Sequence, residues 1–132
     1  MSGSTSQGFV LNRTRQTYLA TSLRVADGHW SRLRGLIGTS PGQFGKGSGL
    51  WIVPCRGVHT LGMSFPIDVV YVSPDQTVVH VENNLQPWRF APVRMQAASI
   101  LELPGNTLQA TGTSIGDQLE ISREAKERAA SV

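Results

Sequence analysis

The sequence predicts an α+β domain: a strand-rich sheet, curled or closed into a small, partly open barrel, with one or two helices. Three observations lead there. Short apolar or alternating runs recur at residues 17–25, 50–53, 67–72, 77–82, 99–103 and 117–122, each bounded by turn residues and too short for a core helix. One stretch, 27–37, instead repeats its apolar residues at helical spacing. The chain has 132 residues, which suits one domain with a core that needs no metal or disulfide staples. An all-β sandwich is the competing architecture, and the helical stretch argues against it.

Taken in order, residues 1–8 are small and polar and read as a disordered tail, with a single domain over 9–122. Leu19, Leu23 and Val25 fall on one face of an extended chain, the mark of a half-buried strand. In 27–37, Asp27 suits an N-cap, Trp30, Leu33 and Ile37 share a face, and Gly38 stands where a left-handed C-cap needs no side chain. Trp30, with His29 beside it, is expected to anchor the core. Residues 39–49 are a glycine-rich loop whose Gly45-Lys46 pair invites comparison with a phosphate-binding loop. The comparison fails, because Gly47 replaces the Ser or Thr that would hold magnesium and no glycine stands five residues earlier.

Residues 67–72 are β-branched on both faces, as an interior strand requires. Ser73-Pro74-Asp75-Gln76 has its proline where a type I turn favours it, so 77–82 is expected to return as a hairpin partner. A second hairpin is expected from 99–103 through Pro104-Gly105-Asn106 into 107–110. Leu119 and Ile121 alternate with Gln118, Glu120 and Ser122 in a last strand with one wet face. Residues 123–132 have helical composition and few anchors, a C-terminal helical tail.

With 39% hydrophobic and 16% charged residues the chain is globular rather than disordered. No apolar run approaches the roughly 20 residues of a membrane helix, and the first residues do not resemble an export signal. The expectation is a soluble, cytoplasmic protein with no membrane partner. A lone cysteine closes no internal disulfide, which fits a reducing compartment. Charge is uneven: seven bases face one acid up to residue 66, and five face eight beyond it. The basic half suits an anionic ligand or merely a solvated surface. Nucleic acid is not expected, since it asks for rings on adjacent strands together with a basic stripe.

Chemistry concentrates in residues 53–73, where Cys55, His59 and Asp68 lie in a turn-rich run that feeds a strand. Cys55 and His59 would make a nucleophile and base if the turn brought them within about 3 Å; otherwise Cys55 is a small buried hydrophobe. Cys55, His59 and Asp68 with His29 or His80 would be a zinc set, but no CxxC or HxxxH spacing supports it, so no metal and no cofactor are expected. Asp68 opens an apolar strand and needs a partner there. It is either a clasp on the 58–66 turn or the carboxylate that orients His59. Trp88, Arg89 and Phe90, between Pro87 and Pro92, form a rigid loop that clamps a flat or anionic ligand or covers a barrel end.

His59-Thr60-Leu61-Gly62-Met63, Phe65-Pro66-Ile67-Asp68-Val69-Val70-Tyr71, Pro87-Trp88-Arg89 and Ser99-Ile100-Leu101-Glu102-Leu103-Pro104-Gly105 stand in that order. Arg34-Gly35-Leu36 and Gly49-Leu50-Trp51 precede them, and Gly116-Asp117 closes the series. From about residue 17 to 121 the chain thereby resembles the bacterial and archaeal family catalogued as domain of unknown function 192. The resemblance implies a compact, strand-rich α+β fold with a site near residues 63–68, and Glu102, the charged member of an apolar strand, is expected to face the same site. It brings no activity. The functional expectation is a module that binds a small molecule or anion through His59, Met63, Asp68, Trp88, Arg89 and Glu102. The alternatives are a thiol-dependent hydrolase or transferase using Cys55 and His59, and a protein–protein interaction or assembly module.

Overall fold

The computed structural model describes residues 8–123, so the two expected tails lie outside the described residues except for Gly8 and Arg123. The elements run β1 (Gly8–Asn12), β2 (Thr17–Ala26), α1 (His29–Arg34), β3 (Ser48–Ile52), β4 (Ile67–Val72), β5 (Val78–Leu85), β6 (Ser99–Pro104), α2 (Thr107–Thr111) and β7 (Leu119–Ser122), with a 3-10 turn at Pro41–Gln43. The seven strands form one sheet in the order β5-β4-β6-β3-β2-β1-β7. Only β2 and β3 are parallel, joined by the long crossover that such a pair requires. The sheet curls until its two edges meet at one end: Thr77 bridges Gln118, and the Val78 amide donates to the Asp117 carbonyl at 2.9 Å. The result is the strand-rich half-barrel that the sequence predicts.

Period-two alternation in the central strands sorts side chains between two cores. Every residue of β4 is buried. Ile67, Val69 and Tyr71 join Leu36, Ile52 and Ile100 on the side covered by α1 and the loops. Val70 and Val72 join Val10, Leu19, Leu101 and Leu108 on the side closed by α2 and the terminal strands. Gly49 is small because β2 and β3 approach closely: a Cβ there would sit 2.8 Å from the Cβ of Ala20.

Three local expectations change. The first helix is only six residues long and buries none of them: Trp30 is 77% and Leu33 57% exposed, so neither is a core anchor. Gly35, at φ +52, ends the helix before Ile37 can extend the apolar stripe, and Leu36 just beyond it is the residue that enters the core. Gly28 takes the N-cap position, while Asp27 pairs instead with Arg123 at 2.9 Å. The second hairpin does not form, because the chain after Pro104 turns through a left-handed Asn106 into α2. β1, not among the strands expected from the sequence, pairs with both β2 and β7.

The third change concerns Asp68, which is a clasp but not on the 58–66 turn. It is fully buried, with one oxygen accepting from the Asn84 amide and the other from the Leu108 amide, both at 2.8 Å. Asn106 gives α2 no side-chain cap, and Asp68 supplies one from across the fold. Its alternation puts it with Val70 and Val72, on the opposite face of the sheet from the His59 turn, so the expected His59–Asp68 pair is not made. At the barrel end Asp117 accepts from Asn12 Nδ2, Arg15 Nε and the Ser114 amide at 2.9–3.0 Å. Burial pushes its pKa up, but these bonds and the Arg15 charge outweigh that and hold it below the usual carboxylate range.

Asp68→Asn puts an NH2 group against one of two amide donors that both need an acceptor. We predict a stability loss on the order of 3 kcal/mol, read as a lower urea midpoint. An unchanged midpoint would remove Asp68 from this role.

Candidate functional site

Helix α1 and the glycine turn after it face Ile52 of β3, Glu102 of β6 and the 53–66 loop. Between them is a cleft of about 180 Å³. Leu33, Ile37, Ile52, Val58 and Met63 supply its apolar walls, and Arg32, Arg34, Cys55, His59 and Glu102 its polar groups. Wider hollows exist, such as one of about 430 Å³ between β2 and α2. That one contains a single charged residue, Lys46, and no unpartnered acid.

Glu102 is the chemical centre of the cleft. It sits mid-strand in β6, opposite Leu50 and Val69, and alternation sends it to the same side as Ile100. It is 2% exposed, and its Oε1 has no hydrogen-bond partner. Burial alone pushes its pKa up to about 8, so at neutral pH it is a carboxylic acid able both to donate and to accept. Gly35 keeps the space beside it open, because a Cβ at that position would lie 4.0 Å from Oε1.

Cys55 is half-buried and donates its thiol hydrogen to the Gly57 carbonyl at 3.0 Å. Burial pushes its pKa up and outweighs the opposing hydrogen bond to Gly57, with the neighbouring Glu102 adding a smaller push upward and Arg32 a smaller pull down. His59 Nδ1 accepts from the Leu61 amide at 3.2 Å. The neutral ring therefore carries its proton on Nε2 and has no free lone pair with which to draw one from a thiol. The two residues share the cleft, yet no hydrogen bond joins them among the described residues.

Trp88 and Arg89 stand outside the cleft on the exposed 86–98 loop, which is nonetheless firmly fastened. Buried Thr60 holds it at four points: its hydroxyl donates to the Gln86 carbonyl at 2.6 Å and accepts from the Arg89 amide at 2.9 Å, while its backbone bonds Trp88 and Arg89. Phe90 bridges to His59, their rings 6.3 Å apart. Tyr71 donates its hydroxyl to the Pro92 carbonyl at 2.6 Å; burial, then the charge of Glu82, push its pKa up to about 12.

The structure thus gathers Cys55, His59, Met63 and Glu102, leaves Trp88 and Arg89 at the surface nearby, and places Asp68 elsewhere. Arg32, Arg34, Gly35 and Thr60 belong to the site without being singled out by their residue type. The only signals available for Gly35 and Thr60 are their places in the Arg34-Gly35-Leu36 and His59-Thr60-Leu61 stretches. Among the described residues no group of three or more His, Cys, Asp or Glu could hold a metal ion, and no helix is long and apolar enough to cross a membrane.

Fold and site define a half-barrel α+β domain with a cleft floored by a buried acid. The chain belongs to the family of domain of unknown function 192, described as an uncharacterised ACR, whose family model matches residues 10–121. It is similar in fold to a protein of unknown function from Novosphingobium aromaticivorans DSM 12444, at 18% identity and a TM-score of 0.75, over 86% of this chain and 83% of that one. A second similar structure, from Sinorhizobium meliloti 1021 and described as a "putative transcription regulator", has 20% identity and a TM-score of 0.76, over 93% of this chain and 99% of that one. At these identities the likeness is one of fold alone. None of the curated proteins matches the sequence.

The raised pKa of Glu102 has a signed consequence. The folded state holds the proton more tightly than the unfolded chain, so the stabilising contribution is complete below the ordinary value of 4.5 and is lost as pH rises through about 8. Between those limits the loss is about 1.4 kcal/mol per pH unit. Glu102→Gln has no proton to lose, so its melting temperature should gain on the wild type from pH 5 to about pH 8 and level off above that. Parallel profiles for the two proteins would contradict the assignment.

Proposed function

We propose that the chain is a binding module whose cleft takes a small molecule with an apolar body, a neutral hydrogen-bonding group for Glu102 and negative charge directed towards Arg32 and Arg34. The observation that carries this reading is the buried carboxyl with an unpartnered oxygen at the floor of an open cleft. An unsatisfied buried polar group costs about 1–3 kcal/mol, and a ligand that supplies the missing partner recovers part of that cost on binding. An amine would also suit Glu102, but Arg32 and Arg34 line the same cleft and repel its positive charge.

The thiol-enzyme alternative is less well supported. A nucleophilic cysteine needs a depressed pKa or a poised base. Cys55 has a raised pKa, its proton is committed to Gly57, and the available nitrogen of His59 is protonated in the neutral ring.

Two measurements test the reading. In amide NMR titrations, benzoate and 4-hydroxybenzoate should shift the resonances of Gly35, Cys55, His59 and Glu102 together, and Val58→Trp, which fills the hollow, should abolish the effect. Binding by benzylamine alone, or shifts that spare these four residues, would defeat the proposal. Alkylation of Cys55 with iodoacetamide across pH should show an inflection above that of free cysteine; an inflection near or below it would revive the enzyme.

A further inference from the structure

We infer that the rim around the cleft is a docking surface for an acidic segment of another polypeptide. The inference goes beyond the contents of the cleft, and its first support is where apolar surface is left uncovered. Trp30 and Leu33 on α1, and Trp88, Phe90, Val93 and Met95 on the 86–98 loop, are all 57–77% exposed. The other large exposed apolar side chains among the described residues, Tyr18 and Ile115, lie elsewhere. Exposed apolar residues are ordinarily scattered singly, and a concentration of six marks a contact surface.

Four of these residues adjoin the cleft or the hollow beside it, and Trp30 and Trp88 stand on the same two segments. Leu33 lines the cleft together with Cys55 and His59, Phe90 bridges to His59, and Val93 and Met95 line an adjoining shallow hollow with Cys55 and Arg56. The patch is also not a loop that failed to fold inwards. Besides the Thr60 and Tyr71 bonds, the Ala91 amide donates to the Val58 carbonyl at 2.8 Å, Arg94 to Arg56 at 3.0 Å and Cys55 to Ala98 at 3.0 Å. The side chains are presented from a fixed backbone, which lowers the ordering cost of binding.

Charge identifies the partner. Residues 29–34, 54–59 and 88–95 contain five arginines, at positions 32, 34, 56, 89 and 94, and no acid. The ion pairs among the described residues involve none of the five. The side-chain bonds of Arg32, Arg34, Arg56 and Arg89 go instead to backbone carbonyls. Tryptophan, phenylalanine, methionine and arginine together are the composition of protein contact centres, and their sign calls for Asp and Glu opposite. A second copy would set arginines against arginines. A bilayer laid over the rim would leave the Glu102 carboxyl facing hydrocarbon across an unfilled hollow, whereas a polypeptide can follow the hollow and offer amide groups.

A displayed random-peptide library selected on the full-length protein at about 0.15 M salt, and counter-selected on the Trp88→Ala/Arg89→Glu/Phe90→Ala/Arg94→Glu variant, tests this. Enriched peptides should carry Asp or Glu around a large apolar residue, and one synthesised from the pool should bind the wild type at least about tenfold more tightly than the variant. Arg89→Glu alone, at an exposed site, serves if the fourfold variant fails to fold. Failure to enrich, enrichment without acids, or equal binding would overturn the inference. So would rim-dependent binding of phosphatidylglycerol vesicles or of a single-stranded oligonucleotide in place of peptide. Val58→Trp separates the two readings: it blocks small acids in the hollow and leaves the rim arginines and aromatics in place.

Discussion

Asp68 and Glu102 lie on neighbouring strands, one rung apart: Asp68 faces Leu103 across the ladder and Val69 faces Glu102. Because successive residues of a strand point to opposite faces, a single step in register sends these two carboxyls to opposite sides of the central sheet. Both are buried, where a carboxyl without partners is costly. What separates them is supply of donors. Asp68 finds two backbone amides and becomes the pin that holds α2 against the sheet, while Glu102 finds none for Oε1. On the α2 side the buried acid is satisfied by backbone amides, and on the other side a polar demand is left at the floor of the cleft.

Where the deciding interactions are local, the sequence is readable. Alternation marks β2 and β7, β-branched residues on both faces mark β4, and Ser73-Pro74-Asp75-Gln76 marks the turn that returns the chain as β5. α2 is not readable in this way, because the bond that turns residues 107–111 into a helix comes from Asp68, 40 positions away. The site divides along the same line. Cys55, His59 and Met63 announce themselves as a cluster in one turn, and Glu102 as an acid in an apolar run. The face that Asp68 shares depends on how the turn before it enters the sheet, which no local pattern specifies. Thr60 joins two loops nearly 30 residues apart through a buried hydroxyl, and an isolated threonine gives no warning of that.

Helix α1 shows a different limit. Trp30, Leu33 and Ile37 have helical spacing, and apolar periodicity implies burial against something without saying whether that is the protein's own core. In a helix of six residues ended by Gly35 at positive φ, the stripe cannot reach the core, which takes Leu36 instead. The apolar residues left over are therefore a property of the surface, and they fall beside the fastened Trp88 loop. Rigidity and exposure, usually opposed in loops, coexist there because Thr60 and Tyr71 satisfy the loop's backbone from beneath.

The low-dielectric interior of the cleft disfavours charge of either origin, and this links its two titratable groups. Burial raises Glu102 and Cys55 in the same direction, and ionising one raises the other further by repulsion. An anion drawn in by Arg32 adds negative charge beside both groups and reinforces both protons. The conditions that make Glu102 a neutral donor for a bound acid are thus the conditions that keep Cys55 a thiol. A thiolate enzyme would need the opposite, a positive field focused on the sulfur from within the cleft, and Arg32 supplies too little of it to reverse the effect of burial. Binding of an anion and activation of the cysteine therefore compete for the same few ångströms, and the arrangement around Glu102 favours binding.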